Sequence, residues 1–137
     1  MLSEVPRPYD PVGMSGGARM TLAELIAEAN RLSGKIDEGV RHLSRAAGNA
    51  ADAERAYRLR KAQAWLTVQS GTVPERQAQV DAVCADERHA RDIAEGERLA
   101  ALEALRSRRQ QASLLQSISA AYRAEAEHSR YGVEVSP

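Results

Sequence analysis

The chain has no phenylalanine, and aromatic residues make up only 4% of it: four tyrosines and one tryptophan, Trp65. Compact globular cores lean on bulky rings, so this scarcity argues against a globule. The apolar content comes mainly from alanine and leucine, which are strong helix formers. Alanine also lets helices approach closely, and the composition fits a thin helical rod. A single cysteine, Cys84, excludes an internal disulfide and leads to the expectation of a reducing compartment. Net charge is absent too: 19 Lys and Arg stand against 19 Asp and Glu. No overall field draws the protein to nucleic acid or membrane, so such binding has to come from local clusters. No apolar run approaches the roughly 20 residues that span a bilayer. Residues 1–10, broken by Pro6 and Pro8, carry no apolar signal-peptide core. No basic helix face lies opposite a bulky aromatic one, so no membrane partner is expected. The 137 residues leave room for one domain.

What is present is helix punctuation. In Ser70-Gly71-Thr72-Val73-Pro74-Glu75 a stop signal is followed at once by a start signal. Gly71 suits a left-handed position just past a helix end. Thr72 and Glu75 have capping-box spacing, and Pro74 sits in the first turn, where its missing N–H costs nothing. A second capping box, Thr21 with Glu24, opens an earlier helix. The expected fold is all-α: a long antiparallel helical hairpin, coiled-coil-like, with a disordered N-terminal tail. The tail covers residues 1–19, where Pro6, Pro8, Pro11, Gly13, Gly16 and Gly17 cluster. The hairpin covers 20–132, with helices over about 21–70 and 73–131 and the turn at 70–73. Gly132 is read as the end of the second helix, and 133–137 as a short tail.

The first helix carries an apolar stripe through Leu25, Ala29, Leu32, Ile36, Val40, Leu43, Ala47 and Ala50, at coiled-coil steps of three and four. Beyond Ala53 two tracks compete: Tyr57, Ala64 and Val68, or Leu59, Ala62 and Leu66. Gly34, Gly39 and Gly48 each cost about 1 kcal/mol against alanine, and a bend is expected near Gly48-Asn49 if anywhere. The apolar positions of the second helix include Val80, Val83, Cys84, Ile93, Ala94, Ala101, Leu102, Leu105, Ala112, Leu115, Ile118 and Tyr122, with Leu99, Leu102 and Leu114 off its main track. A turn centred near Gly71-Thr72 makes residue i face roughly residue 143 − i. Leu59 then meets Cys84, and Arg55, Arg58, Arg60 and Lys61 face Asp81, Asp86, Glu87 and Asp92. One stripe per helix is thin burial against the entropy of ordering the backbone. Leu99, Leu102, Leu114 and Ile118 are therefore the expected oligomerisation residues of a homo-oligomer.

Catalytic chemistry finds no foothold. Cys84, Asp86, Glu87, His89 and Asp92 include every metal-ligand type, but their spacing spreads them around one helix. Cys84 falls on the apolar stripe, as a small hydrophobe. No nucleophile elbow or phosphate loop is present. A non-enzyme without cofactors is expected. Two basic clusters remain: Arg55, Arg58 and Lys61, with Tyr57 and Trp65 nearby, and Arg106, Arg108 and Arg109. Such clusters can hold single-stranded nucleic acid through phosphate contacts and stacking, or can simply be solvated faces with ion pairs. The first has an acidic partner stretch. The second faces Lys35-Ile36-Asp37-Glu38 and is the less compensated.

The runs Val73-Pro74-Glu75-Arg76-Gln77-Ala78, Ala85-Asp86-Glu87-Arg88, and Glu103-Ala104-Leu105-Arg106-Ser107-Arg108-Arg109 through Ala121-Tyr122-Arg123-Ala124-Glu125 resemble small helical proteins encoded in the recombination modules of tailed phages. They are more distantly similar to the UvsY-type recombination mediators. The resemblance covers residues 55–128. It implies a self-assembling phage protein of the host cytoplasm that binds single-stranded DNA and helps a recombinase or annealing protein replace a single-strand-binding protein. Arg106-Ser107-Arg108 would be the DNA contact. The alternative is a structural or adaptor coiled coil with no nucleic-acid binding.

Overall fold

The computed structural model describes residues 19–134, with side chains through Tyr131. Helix α1 spans Leu22–Thr67, α2 spans Val73–Val83 and α3 spans Ala85–Glu134. Among the described residues there is no strand. The chain runs up α1 and returns along α2 and α3, and α1 packs along α3 as an all-α hairpin. The expected tail over 1–19 lies outside the described residues except for Arg19, which reaches Glu125 at 3.5 Å. Residues 135–137 lie outside them as well. Gly132 does not end the helix, which continues to Glu134.

Both capping boxes form as their spacing predicts. The Thr21 hydroxyl accepts from the Glu24 N–H, and the Glu24 carboxylate accepts from the Thr21 N–H. Thr72 and Glu75 repeat the exchange, with Pro74 in the first turn of α2. Gly71 has a φ of 106°, a value that favours glycine. Its place differs from the expected one, however. Helix α1 already stops at Thr67, with Val68 extended. Gly71 thus swings the chain into the Thr72 cap rather than closing α1. The Val68 carbonyl accepts from the Arg76 Nε at 3.2 Å, while the Arg76 guanidinium lies 5.4 Å from the Trp65 ring centroid. One side chain thereby locks the corner from both sides.

The second arm is not one unbroken helix. Cys84 sits between α2 and α3 with φ −95° and ψ 6°. No glycine or proline stands there. The Cys84 N–H still donates to the Val80 carbonyl, and the Arg88 N–H to the Cys84 carbonyl. The ladder crosses the joint, so the phase of the helix is kept. Conversely, α1 runs without interruption through Gly34, Gly39 and Gly48. No break falls at Gly48-Asn49, because packing along the seam outweighs the small propensity cost of each glycine.

The seam follows a strict four-three alternation on the second arm: Val80, Cys84, Glu87, Arg91, Ala94, Arg98, Ala101, Leu105, Arg108, Ala112, Leu115, Ser119 and Tyr122 are all buried or half-buried. That is a heptad seam, but not the apolar one expected. Val83 and Ile93 are exposed, while Glu87 and three arginines take seam positions. On α1 the inward positions are Gly39 and Ala46, not Val40 and Ala47, and Ala29 is exposed as well. A heptad step from Leu32 and Ile36 arrives at Gly39 and Leu43. Following the bulkiest residue instead drifts off phase, and Val40 is left 46% exposed. Small residues in the middle of α1 make room for the long side chains of α3.

Near the turn, Ala64, Val80 and Cys84 form the tightest core, with Tyr57, Trp65 and Val68 packed on it. This selects the Tyr57–Ala64–Val68 track. Leu59 and Leu66 are 57% and 76% exposed, so Leu59 does not meet Cys84. The register itself holds to within a few residues: Gly39 meets Leu105, and the Tyr122 hydroxyl donates to the Met20 carbonyl at 2.7 Å.

Candidate nucleic-acid interface

The six cations singled out from the sequence end in different surroundings. Arg106 pairs within its own helix, its Nη1 lying 2.8 Å from Glu103. Arg58 does likewise with Glu54 at 2.8 Å. Lys61 rests 5.8 Å from the Tyr57 ring centroid. Arg55 and Arg109 are exposed and have no ion-pair partner among the described residues. Arg108 is half-buried on the seam. Arg106 and Arg109, three residues apart, share the outer face of α3, while Arg108 lies at the seam, so the three do not form one face.

The charge match expected for the first cluster is realised only once, by Arg60 and Glu87 at 3.8 Å. The stronger junction has the opposite polarity. Arg91 of α3 lies 3.7 Å from Glu54 of α1 and also binds Asp92 at 3.0 Å. The hydrogen bond to Asp92, with lesser help from the Asp92 and Glu54 charges, raises the Arg91 pKa. Glu28 is held below the ordinary carboxylate value by its hydrogen bond to Arg31, and Glu95 by that to Arg98. Glu87 keeps one carboxylate oxygen, Oε2, buried without a hydrogen-bond partner. Tyr57, between Lys61 and Arg91, and Trp65, against Arg76, are committed to the fold. Neither offers a free face for stacking a base.

Arg108 does gather with other cations. It lines a groove of about 460 Å³ with Lys35, Arg41, His42 and Arg45 of α1, over a floor that includes Gly39, Ala101 and Ala104. Glu38 is the one carboxylate among its lining residues. Only Lys35 of the α1 set stood opposite Arg108 in the sequence register. Arg41, His42 and Arg45 were missed because Leu43 and Ser44 interrupt them and no Phe, Tyr or Trp stands among them. The signal that could have found them is their spacing of three and four on the flank of the Gly39–Ala46 stripe.

The four expected oligomerisation residues also divide. Leu102 follows the seam residue Ala101, whereas Ile118 precedes the seam residue Ser119, so they flank opposite sides of the seam. Leu99 lies near Leu102, and Leu114, 63% exposed, lies beside Ile118. Cys84 is buried and free. Among the described residues no group of three His, Cys, Asp or Glu side chains could hold a metal ion. There, too, no helix is long and apolar enough to cross a membrane. Comparison with protein-family models, curated proteins and solved structures finds no match to this chain.

Proposed function

We propose that this hairpin is a non-enzymatic accessory protein of phage DNA recombination, working in the host cytoplasm. It binds single-stranded DNA as a homo-oligomer and acts with a recombinase or annealing protein. The observation that supports this most is the grouping of Arg108 with Lys35, Arg41 and Arg45, none of which has a carboxylate at ion-pair distance among the described residues. Unneutralised cations on a rigid rod are a requirement for holding phosphates. The resemblance carried by residues 55–128 points the same way. A fluorescence-anisotropy titration of labelled single-stranded DNA at two salt concentrations tests it. Affinity should fall linearly with salt on a log–log plot, and replacing Arg108 and Arg109 by alanine should flatten the slope. Absence of binding at low salt ends the DNA role.

A second reading, a structural or adaptor coiled coil, is favoured by a different observation. Helix α3 carries a further line of positions just beside the hairpin seam, on which Ile93, Ala100, Ala104, Leu114 and Ile118 are apolar and Glu97, Ser107 and Gln111 interrupt them. Ile93 and Leu114 stand exposed on it. A surface of this kind suits helix packing against another protein.

A further inference from the structure

The groove around Arg108 continues past His42 and Arg45 into a second hollow of about 560 Å³, lined further by Ala46, Asn49, Glu97 and Ala100. Together they form a trough along one side of the seam from Lys35 to Asn49. At 1.5 Å per residue this is roughly 20 Å long, or about six nucleotides at the stacked spacing of one strand. Its floor is alanine and glycine. Gly39 is what lets it be shallow and narrow: a Cβ there would stand 3.3 Å from the Leu105 Cδ1. The opposite side of the seam differs. There Glu54, Asp92 and Glu95 balance Arg91 and Arg98, with ion pairs joining them.

Resting on the DNA reading above, we infer that this trough is a phosphodiester track: Lys35, Arg41, Arg45 and Arg108 hold consecutive phosphates of one single strand, and the bases face outward and go unread. Three features carry this. The cations lie on both helices and on one side of the seam, so a strand lying along the rod meets Lys35 and Arg108 at one level and then Arg41 and Arg45. Arg108 lies along the alanine floor, where its stem is packed and its fork has less freedom to lose on binding. No Phe, Tyr or Trp lines the trough, so it has no large ring on which successive bases would stack, and phosphate contacts alone carry no sequence information. Arg41 and Arg45 lie in the part of α1 that is outside the resemblance to recombination proteins.

The test uses the full chain and fluorescently labelled oligothymidylate and oligodeoxyadenylate. Wild type should bind both with affinities within about threefold, because every contact is to the backbone. Arg45→Gln with Arg108→Gln should lower affinity at least tenfold at low salt. It should also reduce the log–log salt slope by about 1.4, since each single-strand phosphate contact contributes about 0.7. Arg88→Gln with Arg130→Gln, which removes the same charge outside the trough, should change the slope by less than about half that amount. Circular dichroism checks that helicity is intact. If the Arg108 variant loses it, Lys35→Gln with Arg41→Gln, both exposed, takes its place with the same expected loss. Binding by wild type that survives the trough variants overturns the track and leaves the DNA reading standing. A wild type that binds neither oligonucleotide overturns both. Strong preference for one base also overturns the track, because it demands base contacts beyond the phosphate contacts proposed.

Discussion

The Arg91 guanidinium of α3 lies 4.4 Å from the centroid of the Tyr57 ring of α1, inside the seam of the hairpin. A cation on an aromatic face is worth about 0.5–1 kcal/mol when exposed, and more when water is excluded. Glu54, at 3.7 Å, adds a carboxylate from the same helix as the ring. The pair is a cross-helix anchor at a point where the facing seam is mostly alanine. Arg91→Ala should destabilise the protein by about 1 kcal/mol. A double-mutant cycle with Tyr57→Leu, measured by urea denaturation at fixed protein concentration, should give a coupling of about 0.5–1 kcal/mol. Purely additive effects would mean that the ring and the cation are neighbours without being partners.

The helical glycines divide into two kinds. An added Cβ at Gly34, Gly48 or Gly96 meets nothing within 4 Å. Alanine at each should raise stability by up to about 1 kcal/mol through helix propensity. Gly39→Ala should fail to give that gain, because Leu105 has to move first. Thermal melts of the four single variants would show three upward shifts and one flat or downward one. A Gly39→Ala variant as stable as the other three would mean that the helices separate there easily.

At the turn, Gly71→Ala forces a side chain onto a φ of 106° and brings its Cβ to 2.8 Å from the Glu75 carboxylate. The backbone strain alone should cost about 1–3 kcal/mol. Thr72→Ala removes one cap and should cost about 1 kcal/mol. Since Gly71→Ala displaces the Glu75 carboxylate, which closes the same capping box by accepting from the residue-72 N–H, the double variant should cost less than the two added together. Full additivity in denaturant titrations would separate the strain from the cap.

Stability should also respond to acid. The carboxyls of Glu28 and Glu95 titrate below the ordinary 4.5 because Arg31 and Arg98 hydrogen-bond their charged forms. A lowered folded-state pKa means that the unfolded chain binds protons first. The stabilising contribution is therefore complete above about pH 4.5 and is lost as pH falls through the lower folded values. Glu28→Gln with Glu95→Gln should flatten the melting-temperature profile below pH 4.5 relative to wild type. An unchanged profile would place the acid sensitivity elsewhere.

At the open end, Tyr122→Phe removes the hydroxyl that donates to the Met20 carbonyl. Amide exchange of the first turns of α1 should quicken by a factor of a few to about tenfold, matching a hydrogen bond worth about 1 kcal/mol. Exchange near Ala64 and Val80, at the far end of the rod, should not change. Equal quickening at both ends would show that the hairpin opens only as a whole.

Local chemistry was the legible part of the fold. Thr21 with Glu24, and Thr72 with Glu75, announce helix starts because a cap involves residues three apart. The hairpin register followed from a single turn. The seam was harder to read. Val40 and Ala47 look more apolar than Gly39 or match Ala46, yet the heptad phase selects the latter pair. Arg91, Arg98 and Arg108 read as surface residues by charge. All three are half-buried at seam positions, which a scan for apolar periodicity does not register. The candidate site was legible only through Arg108, because its other cations come from the opposite helix, one or two to a turn.

The unequal sides of the seam give a neutral protein a handedness of charge. Titration to the isoelectric point, or any measure of total charge, is blind to it, since acids elsewhere on the chain offset the unpaired bases of the trough. What a charged neighbour meets depends on the angle at which it approaches around the long axis. A polymer of negative charge would settle along one margin of the rod, parallel to its helices.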